Sequence, residues 1–428
     1  MTAGRRRAVA AGLAGLLSAG ALGLATRTPP PSAGEPLPDV AFPARPRPPA
    51  LVDDREAAIR MLLQRRGAAV RQRDRAAFLA TIDPRNTDLR AAQAAMFDAL
   101  AGVPLSSWSY DLTLLDGDDP GTAQRWAPRG VVLRYALAGF DARPATLPQG
   151  PVFARHDGQW LLSAEDPARQ ARDLWDFGPV VAIRGQRSLV LAHPDRAGLA
   201  RELGAEADRA VPAVTAVWGP DWAQRVVVLV PRDAAELAAV AQTGADLSAY
   251  AAVQSSELGG AGTGDTTPVG DRVGVNPAVY TRAGAPGRQV VMTHEVTHIA
   301  TRAATGPGLP QWLVEGFADE VGFRDSGLPV ARVAADLAEQ VRLGLVPTRL
   351  PADGDFRAGG PGLASVYEQA WLAARVLVRE HGEAGLVRLY RAVGAGASLD
   401  EGLQLLGSSV EQLTIAWLRD VRALAAHR

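Results

Sequence analysis

Between Val291 and Ala300 the chain reads Val-Met-Thr-His294-Glu295-Val296-Thr297-His298-Ile-Ala. On a helix, residues four apart lie one turn apart on one face, so both imidazoles can reach a single ion. Glu295 lies beside them and can take a proton from water that the ion has acidified. The flanking residues are uncharged, as suits a buried helix that supports a metal. The 428 residues include no cysteine and only six histidines, His156, His193, His294, His298, His381 and His427. A metal must therefore be held by imidazoles and carboxylates, and disulfides, thiolate nucleophiles, iron–sulfur clusters and a lipobox are excluded. All 45 basic residues are arginine, which removes a Schiff-base or P-loop lysine.

A catalytic site of this kind needs a third protein ligand and an open position. Candidate carboxylates follow in Trp312-Leu313-Val314-Glu315-Gly316-Phe317-Ala318-Asp319-Glu320, where Glu315 and Glu320 both qualify by type. The two strings together resemble the gluzincin zinc metallopeptidases, the aminopeptidase N and thermolysin group, in which a second helix supplies a glutamate. Sixteen residues separate His298 from Glu315, slightly fewer than in those types. The resemblance implies zinc bound by His294, His298 and Glu315. It also implies an Asp319 that holds a ligand histidine by its other ring nitrogen. Val366-Tyr367-Glu368-Gln369-Ala370-Trp371 is similar to the Tyr-Glu-x-Gly element of the same families, with Gln369-Ala370 in place of the usual Lys-Gly. That match implies a Tyr367 hydroxyl that supports the oxyanion of a tetrahedral intermediate. Gly382–Leu386 and the stretch from Leu399 to Leu418 resemble the C-terminal helices of the peptidase MA-like group. The likeness spans roughly 185–425. The Gly-Ala-Met-Glu-Asn string of aminopeptidase N relatives is absent, and Arg272–Asn276 takes its place as a strand that could bind a peptide by β-addition.

The elements that must position these residues are legible in outline. Ser188–Ala192 and Arg225–Val230 are apolar runs of strand length, Asp195–Trp218 and Ala234–Val240 read as helices, and from Gln289 onward nearly everything is helical. Gly259–Gly264 is glycine-rich but lacks the Lys-Ser/Thr of a phosphate loop, so it reads as a flexible connection. Upstream, Asp53 and Asp54 can cap a helix running to about Ile82, and a second covers Thr87–Leu100. Strand patterns follow at Trp108–Leu115, Val131–Asp141, Val152–His156 and Gln159–Ser163, the last two joined by an Asp157-Gly158 hairpin turn. Paired helices before a curved antiparallel sheet resemble the nuclear transport factor 2-like cone.

At the start of the chain, Arg5, Arg6 and Arg7 precede an uncharged 18-residue run, Ala8–Ala25. That is the pattern of an export signal, with a small-residue cleavage site at Ala19-Gly20-Ala21, or of a membrane anchor over residues 8–25. Either places the remainder outside the cytoplasm, secreted or tethered to the cell membrane. Thr28–Ala50 holds nine prolines and reads as a linker. The expected organisation is a signal or anchor over 1–27, a linker over 28–50, a cone-like domain over 51–166 and a gluzincin-like domain over 167–428. The expected fold class is α+β: a small antiparallel-sheet cone, then a zincin-like domain with a mixed N-terminal sheet and a helical C-terminal half. A net charge of −1 and a pI of about 6.6 offer nucleic acid no basic surface. The reading is an exported or membrane-tethered zinc-dependent metallopeptidase acting on a peptide or protein, with Glu295 as general base. The alternatives are a catalytically silent binding or scaffold protein of the cell envelope and a zinc hydrolase of a non-peptide substrate. The sequence leaves the oligomeric state open.

Overall fold

The computed structural model describes residues 50–115, 121–258, 268–357, 360 and 362–426, with backbone alone at 50–53, 256–258, 268 and 426. The stretch expected to be an export signal or anchor, the proline-rich stretch before Ala50 and the glycine-rich Gly259–Gly264 stretch lie outside the described residues. Among the described residues, no helix is long and apolar enough to cross a membrane. The protein is a mixed α and β structure with several small sheets and a helical C-terminal half.

The chain is already helical at Ala50, and helix α1 (Ala50–Gln72) ends well short of Ile82. Arg73 turns into the left-handed region at φ 57, and Asp74 starts a new helix, α2 (Arg75–Leu79), by accepting from the Ala77 amide at 2.9 Å. The expected single helix is thus broken by a cap that its apolar spacing does not reveal. Asn86 caps α3 (Thr87–Ala99) in the same way. Six strands follow: β1 (Leu105–Leu112), β2 (Arg125–Trp126), β3 (Val131–Leu137), β4 (Ala145–Gln149), β5 (Pro151–His156) and β6 (Gln159–Glu165). They form two antiparallel sheets, ordered β1-β3-β4 and β2-β5-β6. The Asp157-Gly158 hairpin is present, with both residues at positive φ (49° and 82°), as a two-residue turn between twisted strands requires. β3 stops at Leu137 rather than Asp141, because the Asp141 carboxylate folds back to accept from the Leu137 amide at 2.8 Å.

The C-terminal part begins with a five-stranded sheet of order β10-β11-β9-β8-β7. Its strands are β7 (Val181–Arg184), β8 (Ser188–Ala192), β9 (Val226–Val230), β10 (Ala252–Leu258) and β11 (Pro268–Val275). β8, β9 and β11 run parallel, while the outer strands β7 and β10 pair antiparallel. Helix α4 (Ala197–Trp218) connects β8 to β9, and α5 (Ala234–Val240) follows β9. β8 and β9 are buried at every position, the signature of a sheet covered on both faces. Val190, Ala192, Val226, Val228 and Val230 join the core beneath the helices. The alternate residues Leu189, Leu191, Val227 and Leu229 join the core of the N-terminal part, beside Trp108 and Trp175.

Among the described residues, eight further helices follow: α6 (Pro277–Tyr280), α7 (Ala285–Thr301), α8 (Gln311–Phe323), α9 (Val330–Val333), α10 (Ala335–Arg342), α11 (Leu363–Gly394), α12 (Leu399–Gln404) and α13 (Val410–Ala423). α11 kinks at Gly382, whose φ of 72° only glycine adopts without strain. His381 ends the first arm of that helix. α8 and α11 pack closely because Gly316 presents no side chain: a Cβ there would lie 2.3 Å from the Ala370 carbonyl oxygen.

Candidate metal centre

Helix α7 is buried along almost its whole second half. His294 and His298 therefore project one turn apart into the interior, with their Nε2 atoms 3.0 Å apart. α8 starts beside Pro310, and its first turn is anchored where the Gln311 amide donates to the Asp353 carboxylate at 2.9 Å. One turn further on, Gln311 Nε2 donates to Glu315 Oε1 at 2.6 Å. That bond directs Oε2 of Glu315 towards the imidazoles, 3.4 Å from His294 Nε2 and 3.5 Å from His298 Nε2. Among the described residues, His294, His298 and Glu315 form the one cluster of three potential metal ligands.

The donor set fits a small divalent cation. Three atoms held at about 2.0–2.2 Å from one ion at tetrahedral angles stand roughly 3.4 Å apart. The observed spacings are 3.0, 3.4 and 3.5 Å. Two nitrogens and one carboxylate oxygen also leave the fourth, open position that a reactive site needs. Without an ion, a fully buried carboxylate oxygen at Glu315 makes no hydrogen bond, an arrangement that folding alone disfavours. Burial opposes charge on Glu315, yet the two imidazoles facing it hold its carboxyl down to about 2.

Asp319, one turn beyond Glu315, accepts from His294 Nδ1 at 2.8 Å and is 1% exposed. It fixes the ring so that Nε2 faces the cluster. Glu320 is turned away. Burial pushes its carboxyl up to about 7, and its neighbours are Arg375 and Trp371.

Glu295 is wholly buried, and neither carboxylate oxygen has a hydrogen-bond partner. Burial raises its carboxyl to about 7, against the pull of both imidazoles. A buried acid poised near neutrality and lacking a protein partner suits a group whose partner is a bound molecule. Tyr367, in the second turn of α11, is 1% exposed, and its hydroxyl also lacks a partner. Burial and the nearby Glu315 raise the phenol well above its usual range, so it remains a donor. Its ring is held edge-on by Phe356 at 5.3 Å. The structure thus gathers His294, His298, Glu315, Asp319, Glu295 and Tyr367 around one point.

Arg272–Asn276 does not offer an edge for β-addition. β11 is paired on both sides, by β10 and β9, and among the described residues the edge strands of this sheet are β10 and β7. The sequence reading missed two contributors. Gln311 orients Glu315, and a glutamine at the helix start gives no distinct signal for that. Glu368 reaches across to α10 and accepts from the Asp336 and Leu337 amides at 3.2 and 2.6 Å, which the Tyr-Glu pairing alone does not announce.

No protein-family profile matches the chain, and no curated protein matches it in sequence. Solved structures similar to it include an M1 zinc metallopeptidase from Deinococcus radiodurans, at 14% identity and a TM-score of 0.32 over 73% of this chain and 60% of that one. Another is a mutant two-domain M1 zinc metallopeptidase bound to L-arginine, at 15% identity and a TM-score of 0.30 over 64% of this chain and 58% of the other. The chain thus spans less than two thirds of those enzymes' length. Likeness this distant does not assign a family, and the functional reading rests on the geometry.

Proposed function

We propose that this chain is a zinc-dependent metallopeptidase of gluzincin type, exported or tethered to the membrane, with a cone-like N-terminal domain and a zincin-like catalytic domain. One observation carries the reading: a buried, partnerless carboxyl at Glu295 beside two imidazoles and a carboxylate whose free atoms point at one another. The donor set of His294, His298 and Glu315 would hold zinc. When bound, zinc polarises a carbonyl and acidifies water. The protein's residues supply the remainder. Glu295 accepts a proton from the attacking water and later delivers it to the leaving amine. Tyr367 donates a hydrogen bond to the carbonyl oxygen as negative charge develops there. Asp319 holds the His294 ring, and Gln311 holds the Glu315 carboxylate. An extended peptide would lie along the free edge of β10.

The test is elemental analysis of metal-saturated protein, together with a peptide-library cleavage profile taken with and without a chelator. The expected outcome is about one zinc per chain and cleavage that the chelator abolishes. Equal zinc content in His294→Ala and wild type removes the site. The exported location is tested separately by fusing to the C-terminus a reporter that works only in the cytoplasm, which is expected to be silent.

A further inference from the structure

Tyr250 stands just before β10, and its phenol is the one further buried tyrosine hydroxyl that lacks a hydrogen-bond partner among the described residues. The residue is 4% exposed. Its ring packs on Leu237, Leu247 and Val253 in a small satellite core. The backbone around it is pinned from just past β11: the Asn276 amide donates to the Ala251 carbonyl at 2.9 Å, and Asn276 Nδ2 donates to the Leu247 carbonyl at 3.2 Å. Tyr250's own amide closes a turn onto Leu247. The ring is therefore held from both sides and its hydroxyl is left bare. The Glu295 carboxylate, Glu315 Oε2 and the Tyr367 and Tyr250 hydroxyls are all buried and partnerless, and Tyr250 lies within electrostatic reach of two of them, Glu315 and Tyr367.

We infer that Tyr250 is a substrate-binding residue of this site. Its hydroxyl donates a hydrogen bond to a main-chain carbonyl oxygen of the peptide, next to the bond being cut. This rests on the peptidase reading and adds to it the residue that recognises the substrate's amide backbone. A phenol with no acceptor in the folded chain gains one when a bound molecule presents an oxygen, and that bond replaces the one it makes to water when unfolded. Burial keeps the group protonated, so it can donate to an acceptor oxygen. The carbonyl it meets does not change charge during the reaction, so the contact strengthens ground state and transition state alike.

The experiment takes the best-cleaved peptide from the library and zinc-loaded Glu295→Gln, which binds without turnover. Its dissociation constant, measured by calorimetry with and without Tyr250→Phe, is expected to rise about tenfold in the double variant. In the active background Tyr250→Phe is expected to raise KM by a similar factor and leave kcat within about threefold. The melting temperature of metal-free Tyr250→Phe is expected to equal or exceed that of wild type, because a bare buried hydroxyl is removed. Equal dissociation constants overturn the assignment. So does a lowered melting temperature, which would show that the hydroxyl serves the fold. If zinc-loaded wild type cleaves no peptide, the peptidase reading falls and this assignment with it. If wild type cleaves and the dissociation constants agree, only the role of Tyr250 falls.

Discussion

Glu295 and Tyr367 are both buried without hydrogen-bond partners, and the proposed mechanism gives them different work, which conservative substitutions separate. Glu295→Gln keeps the size of the side chain and all three ligands, so zinc content is expected to stay near one per chain. Hydrolysis is expected to fall to near background, because no other group at the cluster is placed to take a proton from water. Tyr367→Phe removes one donor to the developing charge. Loss of such a donor typically costs roughly 3–4 kcal/mol, about 10²–10³ in kcat. Steady-state rates on both variants, each checked for zinc, decide the matter: full activity in Glu295→Gln ends the mechanism, while full activity in Tyr367→Phe ends only its oxyanion role. Asp319→Asn keeps a hydrogen bond to His294 but removes the charge behind it, and zinc affinity is expected to fall about 10–100-fold in competition with a chromogenic chelator. The imidazole pair and Glu295 were legible in the sequence because their spacing matches one turn of helix. The choice between Glu315 and Glu320 was not settled by residue type. The helix decides it: Glu315 and Asp319 are four apart and share a face, whereas Glu320 is turned about 140° from Glu315. Tyr250 was invisible, since the fold brings it in from far upstream.

At the scale of elements, the site depends on how α8 and α11 approach. Gly316, next to Glu315, lets the helices close up at Ala370, one turn from Tyr367. Where the Tyr-Glu-x-Gly element that this stretch resembles has glycine, α11 carries Ala370, and the bare position lies on α8. Glu368 fixes the other flank of α11 by capping the start of α10 through two backbone amides. Burial pushes its carboxyl up to about 8, from an ordinary 4.5. Below pH 4.5 the folded and unfolded chains both carry the proton. Between 4.5 and 8 the unfolded chain releases it and the folded chain keeps it, so stability falls as pH rises through that window. Glu368→Gln cannot titrate. Its denaturation midpoint relative to wild type is therefore expected to improve from pH 5 to pH 9, and a difference that does not change with pH would rule this out. The strands show where sequence pattern stops being informative. β8 and β9 were legible because burial on both faces leaves an unbroken apolar run. β10, reading Ala-Val-Gln-Ser-Ser-Glu-Leu, lies at an edge, carries polar residues and passed unnoticed. β4 holds a proline, and β2 is two residues long; neither has a periodicity to read.

At the scale of the whole molecule, the sheet that carries β10 is a shared wall. Leu189, Leu191, Val227 and Leu229 face the N-terminal part, and burying each side chain contributes roughly 1.5–3 kcal/mol. The N-terminal part is thereby a structural component of the sheet next to the metal helix. A buried ion pair fixes the register of the two parts. Arg272 on β11 makes two hydrogen bonds of 2.7 Å to Asp141, just past β3, with the two side chains 6% and 4% exposed. The guanidinium also lies 5.9 Å from the centre of the Tyr135 ring, whose hydroxyl donates to Asp173 at 2.6 Å. Such a pair adds little net stability over an apolar replacement, because desolvating both charges offsets their attraction. Losing one member is another matter, since the remaining charge stays buried. Asp141→Asn is expected to cost about 3–5 kcal/mol in chemical denaturation, and Arg272→Met a comparable amount. The double variant Asp141→Asn/Arg272→Met removes both charges, keeps an acceptor for the Leu137 amide, and is expected to recover most of that loss. If the two single effects simply added in the double variant, the pair would not be coupled across the two parts. With the coupling intact, the single variants should also bind zinc more weakly than the double variant, because β11 leads through α6 directly into the helix that carries His294 and His298.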